Sequence, residues 1–530
     1  MLSRARLATR PLYRARFTAF IAVRNYGIVT DVPRSKVWKD VDAAVKDVKT
    51  GDIVLSGGFG LCGVPETLIE ALARRPDVTN LTAVSNNAGA KDLGLVRLIK
   101  TKQLDRIMIS YLGGNKFIEQ AYLDGDIGIE LVPQGTLVAR LNAHAAGVPA
   151  LFTPTGAGTK VEDGGIPIQY NPGGEKSGVK VWGNKKEARE FGGRRYIMEP
   201  AIPGDVAFVH AWKADEAGNL VFRYTANNYN AVMARNAKLT IVEAEHIVPV
   251  GSISPNMIHV PGIYVDRIVQ ATEPKMIEVL ATAKKEELGA QSVQGTEHTD
   301  HAEHEIDPKD WRHRIARRAA REIQDGYYVN LGVGIPTLVP EVTLGPEGQG
   351  VDGDARMVFL AWVLTPQTAR SIRKDIINAG KETTTLLPGA SVFDSIESFN
   401  MIRGGHIDVT MLGAMEVSQA GDIANFMIPG KMVKGIGGAM DLVSNPDKTK
   451  VIVTMQHCSK DGVPKIVKEC SLPLTGPRAV SMIVTDLAVF NVDRNAGELT
   501  LVDVAEGVTI DELKAKTACE FNVPDNVGRF

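Results

Sequence analysis

"DIVLSGGFGLCGVPETLIEALARR", residues 52–75, runs from a short β-branched strand through a glycine-rich loop into an amphipathic helix. Reading outward, the same alternation recurs to about residue 153: LTAVSN then DLGLVRLIKTK, RIMISYL then KFIEQAYLDG, IGIELVP then GTLVARLNAHAAG. Strand and helix in strict succession predict βαβ units and a parallel, doubly wound sheet. A less regular set, through VAFVHAWKADEAGNLVF and LTIVEAEHIVPV, extends this region to about residue 274. Residues 275–308 lose the apolar period, turn polar and charged, and read as a hydrophilic linker. The pattern then restarts. RIARRAAREIQDGYYVNLGVGIP (314–336) repeats the order of DVDAAVKDVKTGDIVLSGGFGLCGVP (40–65): helix, turn, strand, glycine loop, proline. The fold class expected is α/β, with two related open, mostly parallel, doubly wound domains over 36–274 and 309–525.

The length of 530 residues calls for more than one domain. The balance of 60 Lys+Arg against 62 Asp+Glu argues against a nucleic-acid binder, which carries a basic excess. No apolar run approaches the roughly 20 residues needed to span a bilayer, so no membrane partner is expected. Four cysteines without a C-x-x-C pair support neither a disulfide framework nor a zinc site. His298, His301 and His304 recur in the linker beside acidic residues, but no packed scaffold would hold them, and they read as a solvated tether with no metal. Residues 1–27 carry six arginines and no acid, the composition of a mitochondrial transit peptide.

Gly58-Phe59-Gly60-Leu61-Cys62-Gly63 fits the G-x-G-x-x-G of dinucleotide-binding folds. The second strand, however, ends in Ser85-Asn86-Asn87, where that fold needs an acid for the ribose, and Pro65 removes an N–H from the start of the helix. The chain also lacks P-loop and G-x-S-x-G motifs. What remains is a set of small-residue loops at strand ends: Gly57-Gly58, Ser85–Gly89, Pro133–Gly135, Gly332–Gly334 and Gly435–Gly438. In open α/β sheets such loops line the ligand crevice, and glycine lets backbone N–H groups come close. Tight turns alone are the plainer reading of any single one.

These loops carry a specific resemblance. GGFGLCGVPETLI (57–69), AVSNNAG (83–89), VPQGTL (132–137), NLGVGIP (330–336), INAGKETTTLLPGAS (377–391), MIRGGHIDVTMLGAMEVS (401–418), GDIANFMIPGKMVKGIGGAMDL (421–442) and LPLTGP (472–477) resemble the succinyl-CoA:3-ketoacid (3-oxoacid) CoA-transferases, with A and B subunits fused. The resemblance implies a family I CoA-transferase fold, a homodimer in the mitochondrial matrix, and transfer of CoA from succinyl-CoA to acetoacetate in ketone-body use. It implies covalent catalysis by a glutamate through a glutamyl-CoA thioester, with CoA a substrate and no metal or redox cofactor. By the same resemblance Gly438 supplies an oxyanion N–H, with Gly437, Val333 and Gly334 in the oxyanion or CoA-binding loops. Gln134, Asn86, Asn330 and Lys381 are the candidate substrate-binding residues. Structural capping or surface charge is the alternative role for Asn86, Asn330 and Lys381. Transfer to or hydrolysis of other short acyl groups such as acetate or propionate, and an inactive CoA-binding scaffold, are the alternative functions.

One part of the family pattern is missing. In the family the strand equivalent to MVFL (357–360) runs into Gln-Ser-Glu-Asn-Gly, whose glutamate is the nucleophile, then a turn ending in Leu-Gly-Pro-Tyr-Pro. Here Leu360 is followed by AWVLTPQTARSIRKD, so the expected glutamate is absent between Leu360 and Ile376, and no carboxylate of any kind precedes Asp375. Glu341, Glu347 and Glu382 belong to other segments, so the catalytic residue is unassigned. Reading Ala361-Trp362-Val363-Leu364-Thr365-Pro366 from the third base of the alanine codon gives Leu, Met or Val, then an obligatory glycine, and synonymous choice permits Pro, Tyr, Pro. Residues 361 to about 373 are therefore expected to be an out-of-frame translation that has displaced the nucleophile motif; a genuine inactive variant with a surface helix here is the alternative. A protein made as written is expected to lack transferase activity.

Overall fold

In residues 53–270, β1 (Ile53–Ser56) lies between β2 (Leu81–Val84) and β5 (Gly204–Asp215). The other strands are β3 (Leu104–Ile109), β4 (Gly128–Leu131), β6 (Ala237–Val248) and β7 (Arg267–Gln270), in the order β7-β6-β5-β1-β2-β3-β4. All seven are parallel. The chain thus winds outward from β1 to β4, then returns to the other side of β1, and the crevice at the carboxyl ends of β1 and β5 is the switch point where such sheets bind ligands. Helices α1 (Glu66–Ala73), α2 (Lys116–Leu123) and α3 (Gln134–Ala145) follow β1, β3 and β4. Both faces of the sheet are covered. Along β5, Val206 and Phe208 enter one apolar cluster while Ala207, Val209 and Ala211 enter the other, as the two-residue period of a strand requires. Residues 150–200 add small antiparallel pairings, Ala150–Thr153 with Arg194–Pro200 and Pro167–Tyr170 with Val179–Trp182, which the helical periodicity did not foretell.

The computed structural model describes residues 34–280, 310–340, 358–359, 373–386 and 389–530. The leader 1–27, the linker beyond residue 280 with its three histidines, Glu341, Glu347 and the stretch 360–372 lie outside the described residues.

The second half opens with α4 (Trp311–Ala320), capped by the Asp310 carboxylate, and enters β8 (Tyr328–Leu331). A second sheet follows: β9 (Val358–Phe359), β10 (Val409–Leu412), β11 (Lys450–Thr454), β12 (Met482–Val484), β13 (Ala488–Asp493), β14 (Glu498–Val504) and β15 (Gly528–Arg529). Its order is β9-β8-β10-β11-β12-β13-β14-β15, parallel through β12, antiparallel across β12-β13-β14, and parallel again at β15. β8 sits between β9 and β10 as β1 sits between β2 and β5, so the repeated opening seen in the sequence is a repeat of structure too. Helices α5 (Ser395–Gly404) and α6 (Ala439–Leu442) belong to this half. Residues Ser35–Phe530 form one compact unit. Phe426, Met427, Val433, Ile436 and Met440 pack into one apolar cluster of the first sheet, and Phe399, Ile402 and Ile407 into the other. Each large side chain buried this way contributes roughly 1.5–3 kcal/mol, so the two halves share their cores.

Candidate active site

The site is built where the glycine loop 435–438 meets the carboxyl end of β3. A Cβ on Gly435 would stand 2.7 Å from Tyr111 Cα and 2.8 Å from Ser110 O, and its φ is +96°. Only glycine permits this approach. Two bonds then lock the loop: Gly437 N–H donates to Ser110 O at 2.8 Å, and Leu112 N–H to Lys434 O at 3.1 Å. Gln134, first residue of α3, donates its N–H to Gly437 O at 2.9 Å, and its carbonyl accepts the Tyr229 hydroxyl at 2.9 Å. Gly438 caps α6, and the position of a Cβ on it would be 3.8 Å from Gln134 Oε1. The Gly438 N–H finds no acceptor among the described residues.

Asn86, at the end of β2, is 1% exposed. Its Nδ2 donates to Ser110 Oγ at 2.9 Å, while Ser110 Oγ donates back to the Asn86 carbonyl at 3.0 Å. Its Oδ1 has no partner among the described residues. A buried amide oxygen left unpaired costs about 1–3 kcal/mol, which a ligand donor would recover. Lys381, with φ +67°, lies with Nζ 3.7 Å above the Tyr111 ring and 3.4 Å from Glu278 Oε2. Its stem covers Gly60, where a Cβ would meet Lys381 Cδ at 2.8 Å. Glu278 is thus an immediate partner for the lysine charge.

Gln134, Gly437, Gly438 and Asn86 therefore form one connected group through Ser110, and Lys381 joins it through Tyr111. Asn330, Val333 and Gly334 stand at the end of β8. Asn330 Oδ1 accepts the Thr410 hydroxyl at 3.5 Å, and Val333 is 63% exposed. Among the described residues none of these three bonds to the Gln134 group. The Gly57-Gly58 loop is not open either: Gly58 N–H donates to Asn228 Oδ1 at 3.1 Å, and a Cβ on Gly57 would fall 1.9 Å from Asn230 Oδ1. Asparagines fill that loop from within the fold.

Of the interval between Leu360 and Ile376, the structure describes residues 373–375. Its carboxylate, Asp375, is buried and paired on both oxygens with Lys275 Nζ, at 2.7 and 2.8 Å, which engages it as a structural ion pair. Ile376 closes the interval as a structural residue: its side chain is buried, and its N–H donates to Arg373 O at 3.0 Å. Glu382 is engaged locally, accepting from Asn378 Nδ2 at 2.8 Å. Among the described residues of this region no glutamate takes the place of the missing nucleophile.

Sequence reading missed Ser110, Tyr111, Tyr229 and Asp441. Ser110-Tyr111 follows the strand in the run RIMISYL and was open to the same strand-end logic that singled out Asn86. Tyr229 and Asp441 act through partners far away in the chain and give no local signal. Burial drives the Tyr229 phenol well above its ordinary pKa, keeping it a neutral donor. Among the described residues no group of three or more His, Cys, Asp or Glu side chains could hold a metal ion, and no helix is long and apolar enough to cross a membrane.

The coenzyme A transferase family model matches residues 39–271 and 312–516. The chain belongs to the coenzyme A transferase family. This transferase is 48% identical over 502 residues to human "succinyl-CoA:3-ketoacid coenzyme A transferase 2, mitochondrial", covering 93% of this chain and 91% of the relative. It is 46% identical over 498 residues to the Mus musculus "succinyl-CoA:3-ketoacid coenzyme A transferase 2A, mitochondrial", covering 92% of this chain and 90% of that one. Among solved structures it resembles the apoenzyme of an acyl-CoA transferase from Escherichia coli O157:H7, with a TM-score of 0.70 and 20% identity, covering 94% of this chain and 95% of that one. At that identity the likeness speaks for the fold, with both halves included.

Proposed function

We propose that this transferase moves CoA from succinyl-CoA to a 3-oxoacid, acetoacetate, in the mitochondrial matrix as a homodimer, and that its catalytic glutamate belongs in the segment that residues 361 to about 373 replace. The observation that carries the reading is identity to the human mitochondrial enzyme across nearly the whole chain. The leader composition of residues 1–27 agrees with it.

The chemistry follows from the groups available. A glutamate carboxylate attacks the thioester carbon of succinyl-CoA; the tetrahedral oxyanion collapses, expels CoA thiolate and leaves a mixed anhydride. The thiolate attacks the glutamyl carbonyl and releases succinate, giving a glutamyl-CoA thioester. Acetoacetate attacks that thioester and expels CoA thiolate again; the thiolate then takes the acetoacetyl group and frees the glutamate. Each step develops an oxyanion, and an N–H fixed in advance stabilises it at little reorganisation cost. The unspent Gly438 N–H, on a loop locked to Ser110 and beside Gln134 Oε1, supports that role for Gly438 and a substrate-orienting role for Gln134. The unpaired Asn86 Oδ1 supports a hydrogen bond to bound ligand. Carboxylates, CoA thiolate and backbone donors complete the cycle, with no further cofactor taking part.

A chain with Ala361–Arg373 as written has no nucleophile and transfers no CoA. The test is incubation with succinyl-CoA followed by hydroxylamine or borohydride: a sensitive enzyme-CoA thioester is expected with Gln-Ser-Glu-Asn-Gly restored, and none in the chain as written. Comparing rates over acetoacetate, acetate and propionate checks the acceptor; faster transfer to acetate or propionate than to acetoacetate would overturn the 3-oxoacid assignment.

A further inference from the structure

Helix α3 begins without a cap of its own. Pro133 offers no side-chain hydrogen bond, although the first N–H groups of any helix need acceptors. The second half of the chain supplies them. Gln134 N–H reaches Gly437 O, and Gly135 N–H donates to Asp441 Oδ2 at 2.8 Å. Asp441 Oδ1 accepts the Thr155 hydroxyl at 3.0 Å, so one carboxylate ties α3 and the strand-end loop after Thr153 to α6. The residue is 0% exposed, and among the described residues no Lys or Arg nitrogen forms a salt bridge with it. A Cβ on Gly135 would lie 2.4 Å from Asp441 Oδ1 and 2.6 Å from Phe399 Cδ1, so position 135 must be glycine for the carboxylate to enter.

We infer that Asp441 is a positioning residue that fixes the spacing between the Gly438 N–H and the Gln134 side chain. The inference rests on the roles proposed above for those two residues. Two features favour alignment over simple adhesion. First, burying a carboxylate without an ion pair is a costly way to glue two surfaces that already share apolar cores. Second, Asp441 lies three residues after Gly438, and its acceptor bond falls on the residue next to Gln134, so it clamps both functional groups from one short helix. Burial pushes the carboxyl pKa upward, and Arg403 offsets part of that rise from a distance. The N-terminal end of α3 also favours a negative charge there.

The test compares Asp441→Asn, which keeps shape and one acceptor, with Asp441→Ala. Steady-state acyl transfer is measured on enzyme carrying the Gln-Ser-Glu-Asn-Gly segment, and amide hydrogen exchange is measured on the same proteins. For Asp441→Asn the expected result is a kcat lower by about tenfold to a hundredfold, KM changed less than threefold, and faster exchange confined to residues 134–135 and 437–438. Asp441→Ala is expected to extend the same pattern. Unchanged kcat with unchanged exchange at 437–438 overturns the inference, as does accelerated exchange spread evenly over both sheets. If the parent enzyme transfers no CoA while Asp441→Asn still loosens only those four amides, the positioning role stands and the proposed function falls.

Discussion

Replacing Gly435 by alanine puts a methyl group against backbone that has no rotamer to yield. The new Cβ would lie 2.7 Å from Tyr111 Cα, 2.8 Å from Ser110 O and 3.0 Å from Leu112 N. Carbon atoms pack at no less than about 3.5 Å, so the loop must retreat by about 0.8 Å. That movement carries the Gly437 N–H to Ser110 O bond from 2.8 Å to about 3.6 Å, where it is lost, and stretches the Leu112 to Lys434 bond likewise. Two hydrogen bonds contribute about 0.5–1.5 kcal/mol each, and holding alanine at φ +96° costs about 1–3 kcal/mol. Gly435→Ala should therefore destabilise the protein by about 2–6 kcal/mol, measured by urea unfolding. Because Gly438 rides on the same loop, acyl transfer should fall at least tenfold in folded enzyme that carries the Gln-Ser-Glu-Asn-Gly segment. A variant within about 0.5 kcal/mol of the parent, or one whose crystal structure shows 435–438 undisplaced, would refute the reasoning.

Lys275→Ala removes the cation that grips Asp375 at 2.7 and 2.8 Å across the two halves, leaving a carboxylate 4% exposed whose remaining ion pair among the described residues is with the Arg223 guanidinium 3.8 Å away. A loss of about 3–5 kcal/mol is expected in urea unfolding, and a loss under about 1 kcal/mol would show that the pair holds nothing. His457 is buried neutral between Thr485 and Thr517, and burial lowers its pKa from 6.5 to about 4. The unfolded chain binds this proton below 6.5 and the folded one only below about 4, so stability should fall as pH drops through that window, by about 3 kcal/mol in all. His457→Gln should flatten that acid limb in melts taken between about pH 7 and pH 4, and an unchanged slope would contradict it.

The strand and helix periods made the α/β class and the repeated opening at β1 and β8 legible, because both faces of a parallel sheet demand apolar cover. Antiparallel pairings such as Ala150–Thr153 with Arg194–Pro200 stayed hidden, since they pair segments about 45 residues apart without a helical period between them. For the site, glycine pointed to the right loop at 435–438, where close approach leaves no space for a side chain. It misled at Gly57-Gly58, where the same absence of Cβ makes room for Asn230 of the protein's own chain. Asn86 was visible as a polar residue at a strand end and Lys381 through the family resemblance, whereas Glu278 beneath the lysine and Asp441 behind Gly135 follow from tertiary packing alone. The break between Leu360 and Ile376 was legible because the motifs on either side, MVFL and INAGKE, are intact.

The most direct test is peptide mapping by mass spectrometry of the native, active transferase across residues 351–382, before and after succinyl-CoA. A peptide containing Gln-Ser-Glu-Asn-Gly, its glutamate bearing the CoA-dependent modification, is the predicted result. Recovery from active enzyme of a peptide containing Trp362-Val363-Leu364-Thr365 would contradict the account.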